Sequence, residues 1–169
     1  MIVPMTFGQR VTSVLRLDAA AFEEIEADRS ANGQALAVVV MASVAAGLGA
    51  GLLLGPLGLL RETLAALVGW VMWAAVTYVI GTRLMPEPQT RSDMGELLRV
   101  IGFSYAPNVF AVFAFVPVVG IAVRVVVAFW LLAATVIAVR QALDYRSTGR
   151  AVVVVLIGWV LFVLINALV

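Results

Sequence analysis

Ser104, Tyr105 and Asn108 lie close together, with Pro107 among them, where the longest polar loop gives way to the longest apolar run. A hydroxyl, a phenol and an amide can each donate and accept hydrogen bonds. Proline has no N–H, and its ring crowds the carbonyl four residues back, here that of Phe103. In lipid, a freed carbonyl and polar side chains need partners. Pro107 is therefore expected to kink a continuous helix and to turn Tyr105 and Asn108 into the bundle, with Ser104 bonded to its own helix backbone. The residues fit two readings. One is a small polar pocket of Ser104, Tyr105, Pro107 and Asn108 on the cytoplasmic half of the bundle; the other is a structural bend with no ligand.

The chain has no cysteine and no histidine. That removes disulfides, thiol nucleophiles and imidazole bases, and with them most zinc and haem ligation. No catalytic residue, cofactor site or metal site is expected, and the chain reads as a non-enzyme. A formal net charge of +1 gives no basis for a nucleic-acid partner. Arg124 falls inside an apolar run, where an ionisable side chain is by default a functional suspicion. It stands about a turn past Gly120, so its guanidinium either snorkels to the interface or is buried against Glu62. The Glu23-Glu24-Ile25-Glu26-Ala27-Asp28 run could bind a cation or a basic partner, but such runs usually form a solvated face, and that is the expectation. The other polar side chains within the apolar runs are Ser43, Thr77, Tyr78, Thr135 and Asn166. Thr77 and Tyr78 are expected to bond locally.

The elements that position these residues follow from hydropathy. The chain is 63% apolar with a mean hydropathy of +1.09, against about 45–50% apolar in soluble domains. It is read as a single-domain, all-α integral membrane protein with five transmembrane helices and an N-terminal amphipathic interfacial helix. Residues 1–33 form the amphipathic segment, with Val11, Val14, Leu15, Phe22 and Ile25 at helical spacing. It is one helix, or two meeting at Asp18 as an N-cap, lying in the interface or packed under the bundle. Residues 34–169 form the membrane domain, with spans at about 34–54, 63–82, 103–119, 121–143 and 151–169. The run from Phe103 to Leu143 would reach ~60 Å as one helix, twice the ~30 Å core, so Pro117-Val118-Val119-Gly120 must break it. Thr90 with Asp93, or Asp93 with Glu96, makes a capping box. It opens a short helix with Met94, Leu97, Leu98 and Ile101 on one face. Gly47, Gly51 and Gly55 form a small-residue stripe, which is a homo-oligomer seam or an intramolecular contact.

All eleven basic residues are arginine, and with five spans nine of them fall on one side. The positive-inside rule then puts the N-terminus in the cytoplasm and the C-terminus outside. Arginine without lysine, in a chain rich in Ala, Val and Gly, points to a GC-rich bacterial genome and hence to a bacterial inner membrane.

The Gly102-Phe103-Ser104-Tyr105-Ala106-Pro107 opening of the third span resembles the Gly-Tyr-Ser-x-x-Pro signature of the Yip1 domain family. Five spans, a cytoplasmic amphipathic N-terminal region, a long loop before the third span, Trp130 in the fourth, and the polar Arg140–Arg150 loop before the last are similar to a bacterial member. The Asp-Leu-Tyr-Gly-Pro stretch of some eukaryotic members is missing. The resemblance implies a non-enzymatic role in membrane organisation, of the kind eukaryotic members fill in vesicle budding with Rab-type GTPases. Membrane lipids, a second copy or another membrane protein are the expected partners. A small oligomeric transporter, channel or lipid scramblase is the alternative.

Overall fold

The computed structural model describes residues 5–50 and 55–168, the last four of these by backbone alone. Among the described residues there are helices and turns and no strand. Two short helices come first, α1 (Phe7–Leu15) and α2 (Ala19–Ala27). Both N-caps are side-chain caps. Thr6 and Gln9 make a capping box on α1, and Asp18 accepts from the N–H of Ala20 at the start of α2. The long helices are α3 (Asn32–Gly49), α4 (Gly55–Val79), α5 (Met94–Ser104), α6 (Val119–Ala142) and α7 (Thr148–Leu168).

Among the described residues, four paths are long and apolar enough to cross a membrane: Arg29–Gly49, Gly55–Leu84, Met94–Phe115 and Val119–Ala142. Within α7, Thr148–Leu164 is a shorter apolar helix. The third path starts nine residues earlier than the Phe103 read from hydropathy, because the Asp93–Glu96 capping box launches α5 directly into the bundle. Leu97, Val100, Ile101 and Phe103 are fully buried there.

The continuation of α5 is a 3-10 helix over Ala106–Phe115. The expected kink in a continuous α-helix at Pro107 is replaced by this change of helix type. Tyr105 donates to the Gly102 carbonyl at 3.3 Å and Asn108 to the Tyr105 carbonyl at 2.9 Å, both three residues back. A 3-10 helix rises ~2.0 Å per residue against ~1.5 Å in an α-helix, so this path gains length while narrowing. Neighbours use the narrowness. A Cβ on Gly49 of α3 would stand 1.8 Å from the Ala111 carbonyl oxygen, and one on Gly120 of α6 would stand 2.2 Å from that of Ala114. Only glycine permits these two approaches to bare backbone. The break between third and fourth paths is a γ-turn at Val118, φ 69°, closed by Val119 N–H to the Pro117 carbonyl at 2.8 Å.

At the other end α4 widens into a π-helical turn, Ile80–Leu84. The Leu143 side chain fills the place where Gly81 has none. The Tyr145 hydroxyl shares its proton between the carbonyls of Met85 (2.8 Å) and Gly81 (3.1 Å). Arg150 donates to the Pro86 carbonyl at 3.1 Å and pairs with Glu87 at 3.3 Å. The polar loops after α4 and α6 are thus stitched to each other.

Candidate functional site

Tyr105 sits at the joint between α5 and the 3-10 segment. With Asn108 it lines a cavity of about 240 Å³, bordered by Ser43, Ala46 and Gly47 of α3, by Ala50 just past its end, and by Glu62 and Ala66 of α4. Tyr105 lies eleven residues past Met94, ~17 Å along the path, so the cavity occupies the half of the bundle away from the arginine-rich end. Its expected place was the other half; the early start of the third path moves it. Of the four residues read together, the structure brings Tyr105 and Asn108 into this cavity. Ser104 is fully buried and turned toward α6, donating to the Ile101 carbonyl at 2.8 Å and lying 3.2 Å from the Thr135 hydroxyl. Pro107 is buried in the 3-10 segment.

Tyr105 also lines a second, larger and mostly apolar cavity of about 530 Å³ between α4, α6 and α7. Trp73, Leu131, Val155, Trp159 and Phe162 form its walls, with the Trp73 and Phe162 rings edge-on at 5.8 Å. Thr135 is its other polar residue.

Arg124 is exposed on α6 and makes no ion pair with Glu62 among the described residues. Within the glycine stripe, a Cβ on Gly47 would stand 2.6 Å from Leu59 of α4, which makes that position an intramolecular contact. Gly55 opens α4 at φ +61° with open space beside it, and Gly51 lies outside the described residues. Thr77 does not bond locally: its hydroxyl is buried with no hydrogen-bond partner among the described residues.

The arginine-rich end is closed by α1 and α2, which pack under α5 and α6. Val14, Ala21, Phe22 and Ile25 are fully buried. Arg10 is 1% exposed. It donates to both carboxylate oxygens of Glu24, at 2.9 and 2.7 Å, to the Gln34 amide oxygen at 2.9 Å, and to Asp28. The Glu24 hydrogen bond raises its pKa, and Arg10 in turn holds the Asp28 carboxyl down at about 2. Arg99 is 3% exposed and reaches from α5 to the end of α2, donating to the carbonyls of Glu26 (3.1 Å) and Ile25 (3.3 Å) and to Asn32 (3.3 Å). A cation there meets the negative end of the α2 dipole. Trp130, stacked on Phe110, donates its indole N–H to the Leu15 carbonyl at 3.0 Å.

The acidic run is therefore only in part the solvated face that was expected: Glu23 stays exposed, but its other carboxylates are engaged or half-buried. Glu24 and Asp28 are spent on Arg10. Burial pushes the Glu26 carboxyl up to about 8, and the charges of Glu96, Asp144 and Glu23 push the same way while Arg99 opposes them. Sequence reading passed over Arg10 and Arg99 as structural residues. A signal existed for both. Arg10 sits on the apolar stripe between Phe7 and Val14, and Arg99 is flanked by Leu98 and Val100.

Among the described residues, four apolar spans, a further apolar helix and charged, stitched loops define a polytopic helical membrane protein. The family model for the Yip1 domain matches residues 12–169, nearly the whole chain, and the protein belongs to the Yip1 domain family. No curated protein and no solved structure is found to match it.

Proposed function

We propose that this chain is a non-enzymatic membrane-organising protein of a bacterial inner membrane that works through protein and lipid contacts. The observation that carries the reading is the helical cap at the arginine-rich end. Its buried cations, Arg10 and Arg99, are consumed in fastening α1 and α2 to the bundle. A cap held this firmly presents a fixed outer face, on which Gln9, Thr12, Arg16, Glu23 and Ala27 are exposed. The chemistry spent on the cap is structural, and the other charged groups in the spans, Arg29, Arg61, Glu62, Arg83, Glu96, Arg124 and Arg140, fall within about two turns of a span end. Clustering of the arginines at the cap end supports a cytoplasmic N-terminus and an external C-terminus.

A second reading, a lipid-scrambling or transport pathway, is favoured by one feature: Tyr105 lines both the polar cavity and the lipid-side groove. Reconstitution into liposomes separates the two. The organising role predicts ion flux and lipid scrambling at the level of empty vesicles. Flux or scrambling well above that level, and abolished by Asn108→Leu in a folded variant, would overturn it in favour of the pathway.

A further inference from the structure

The cavity at Tyr105 has a lining that asks for a particular kind of guest. Its charged group is the Glu62 carboxylate, and among the described residues no cation lines it. Among the described residues, the Glu62 carboxylate, the Asn108 amide and the Tyr105 hydroxyl have no hydrogen-bond partner. Polar groups facing such a space gain from a donor-rich, positively charged occupant. The lining supplies one carboxylate, and no group of three or more acidic side chains that could hold a metal ion is found among the described residues. A space of about 240 Å³ suits an organic head group, and an aromatic residue in the lining, Tyr105, is of the type that attracts an ammonium.

The depth of the site narrows the source. The path Gly55–Leu84 has 30 residues and reaches ~45 Å, against a hydrocarbon core of ~30 Å. The surplus places the first turns of α4, and Glu62 with them, at the level of lipid head groups. From there Tyr105 joins the cavity to the apolar groove of about 530 Å³ deeper in the bundle. Such a volume is in the range of pockets that bury whole small ligands, ~300–1,000 Å³. A polar chamber at head-group level beside an apolar groove at chain level has the layout of one amphiphile.

We propose that the cavity holds the organic ammonium head of a membrane lipid, with Glu62 as its counter-ion and the lipid chain in the groove between α4, α6 and α7. Glu62 and Trp159 are both exposed, so substitutions at either leave the packed core intact. The site lies at the far end from the cap, so its absence would leave the organising role standing.

The test is native mass spectrometry of the protein taken from vesicles with equal phosphatidylethanolamine and phosphatidylglycerol. Wild type is expected to carry the ethanolamine lipid in about fivefold excess, the discrimination of one modest ion pair. Glu62→Gln brings the two lipids to parity, and Trp159→Ala lowers retention of both without changing their ratio. Parity in wild type, or an ethanolamine preference that survives Glu62→Gln, overturns the proposal. Displacement of the bound lipid by free ethanolamine as effectively as by the intact lipid would overturn the lipid as the source.

Discussion

Glu26 makes docking of the cap depend on pH. Its carboxyl lies on α2 in company with Glu23, Glu96 and Asp144, and its pKa is raised from 4.5 to about 8, first by burial and then by those charges. Arg99, whose guanidinium is bonded to the Glu26 carbonyl, opposes the shift. A carboxyl with a raised pKa binds its proton more tightly in the docked state. The stability it contributes is complete below pH 4.5 and is lost as pH rises toward about 8. One proton sets a slope of at most ~1.4 kcal/mol per pH unit. Over the whole window that would come to ~5 kcal/mol; Glu26 is only half-buried, and screening by water leaves ~2–3 kcal/mol. Asp28 does not confuse the comparison, since its carboxyl at about 2 leaves it ionised throughout this window. Thermal unfolding in detergent at pH 5 and pH 8, followed by hydrogen exchange over α1 and α2, measures the effect. Wild type should hold its cap more tightly at pH 5, and Glu26→Gln should flatten that difference. An identical pH dependence in the two proteins would refute the reasoning.

Two core substitutions are expected to act in opposite directions. Gly49→Ala sets a methyl 1.8 Å from the Ala111 carbonyl oxygen, and the forced backbone shift should destabilise by ~1–3 kcal/mol, read as a lower melting temperature in detergent. Thr77→Val removes a buried hydroxyl that has no partner among the described residues, and should stabilise by ~1 kcal/mol, since the shape is kept and a desolvation cost disappears.

Local chemistry in the sequence foretold local structure. Asp18 as an N-cap, the Asp93–Glu96 box and the break at Pro117–Gly120 each rest on a side chain acting within a few residues. The apolar runs likewise announced the spans. Long-range partners are what the sequence concealed. Arg10 and Arg99 look like solvated charges until Glu24, Gln34 and the end of α2 arrive to meet them. Helix type was also hidden, because hydropathy is the same whether Ala106–Phe115 winds as α or as 3-10. The clue lay in the contacts: Gly49 and Gly120 are small where the narrow helix needs its backbone approached. The cavity was half visible. Tyr105 and Asn108 stood out, but Ser43 and Glu62 come from other helices, and Ser104 was claimed by Thr135.

The N-terminal helix pair is a built-in part of the membrane domain and not a tethered arm. Hydrogen exchange of the protein in lipid nanodiscs near pH 6 tests it directly. Amides of α1 and α2 should be protected to the same degree as those of α5, with protection lost selectively over α1 and α2 in Arg99→Met. Exchange of α1 and α2 at the rate of an unfolded segment in wild type would contradict the account.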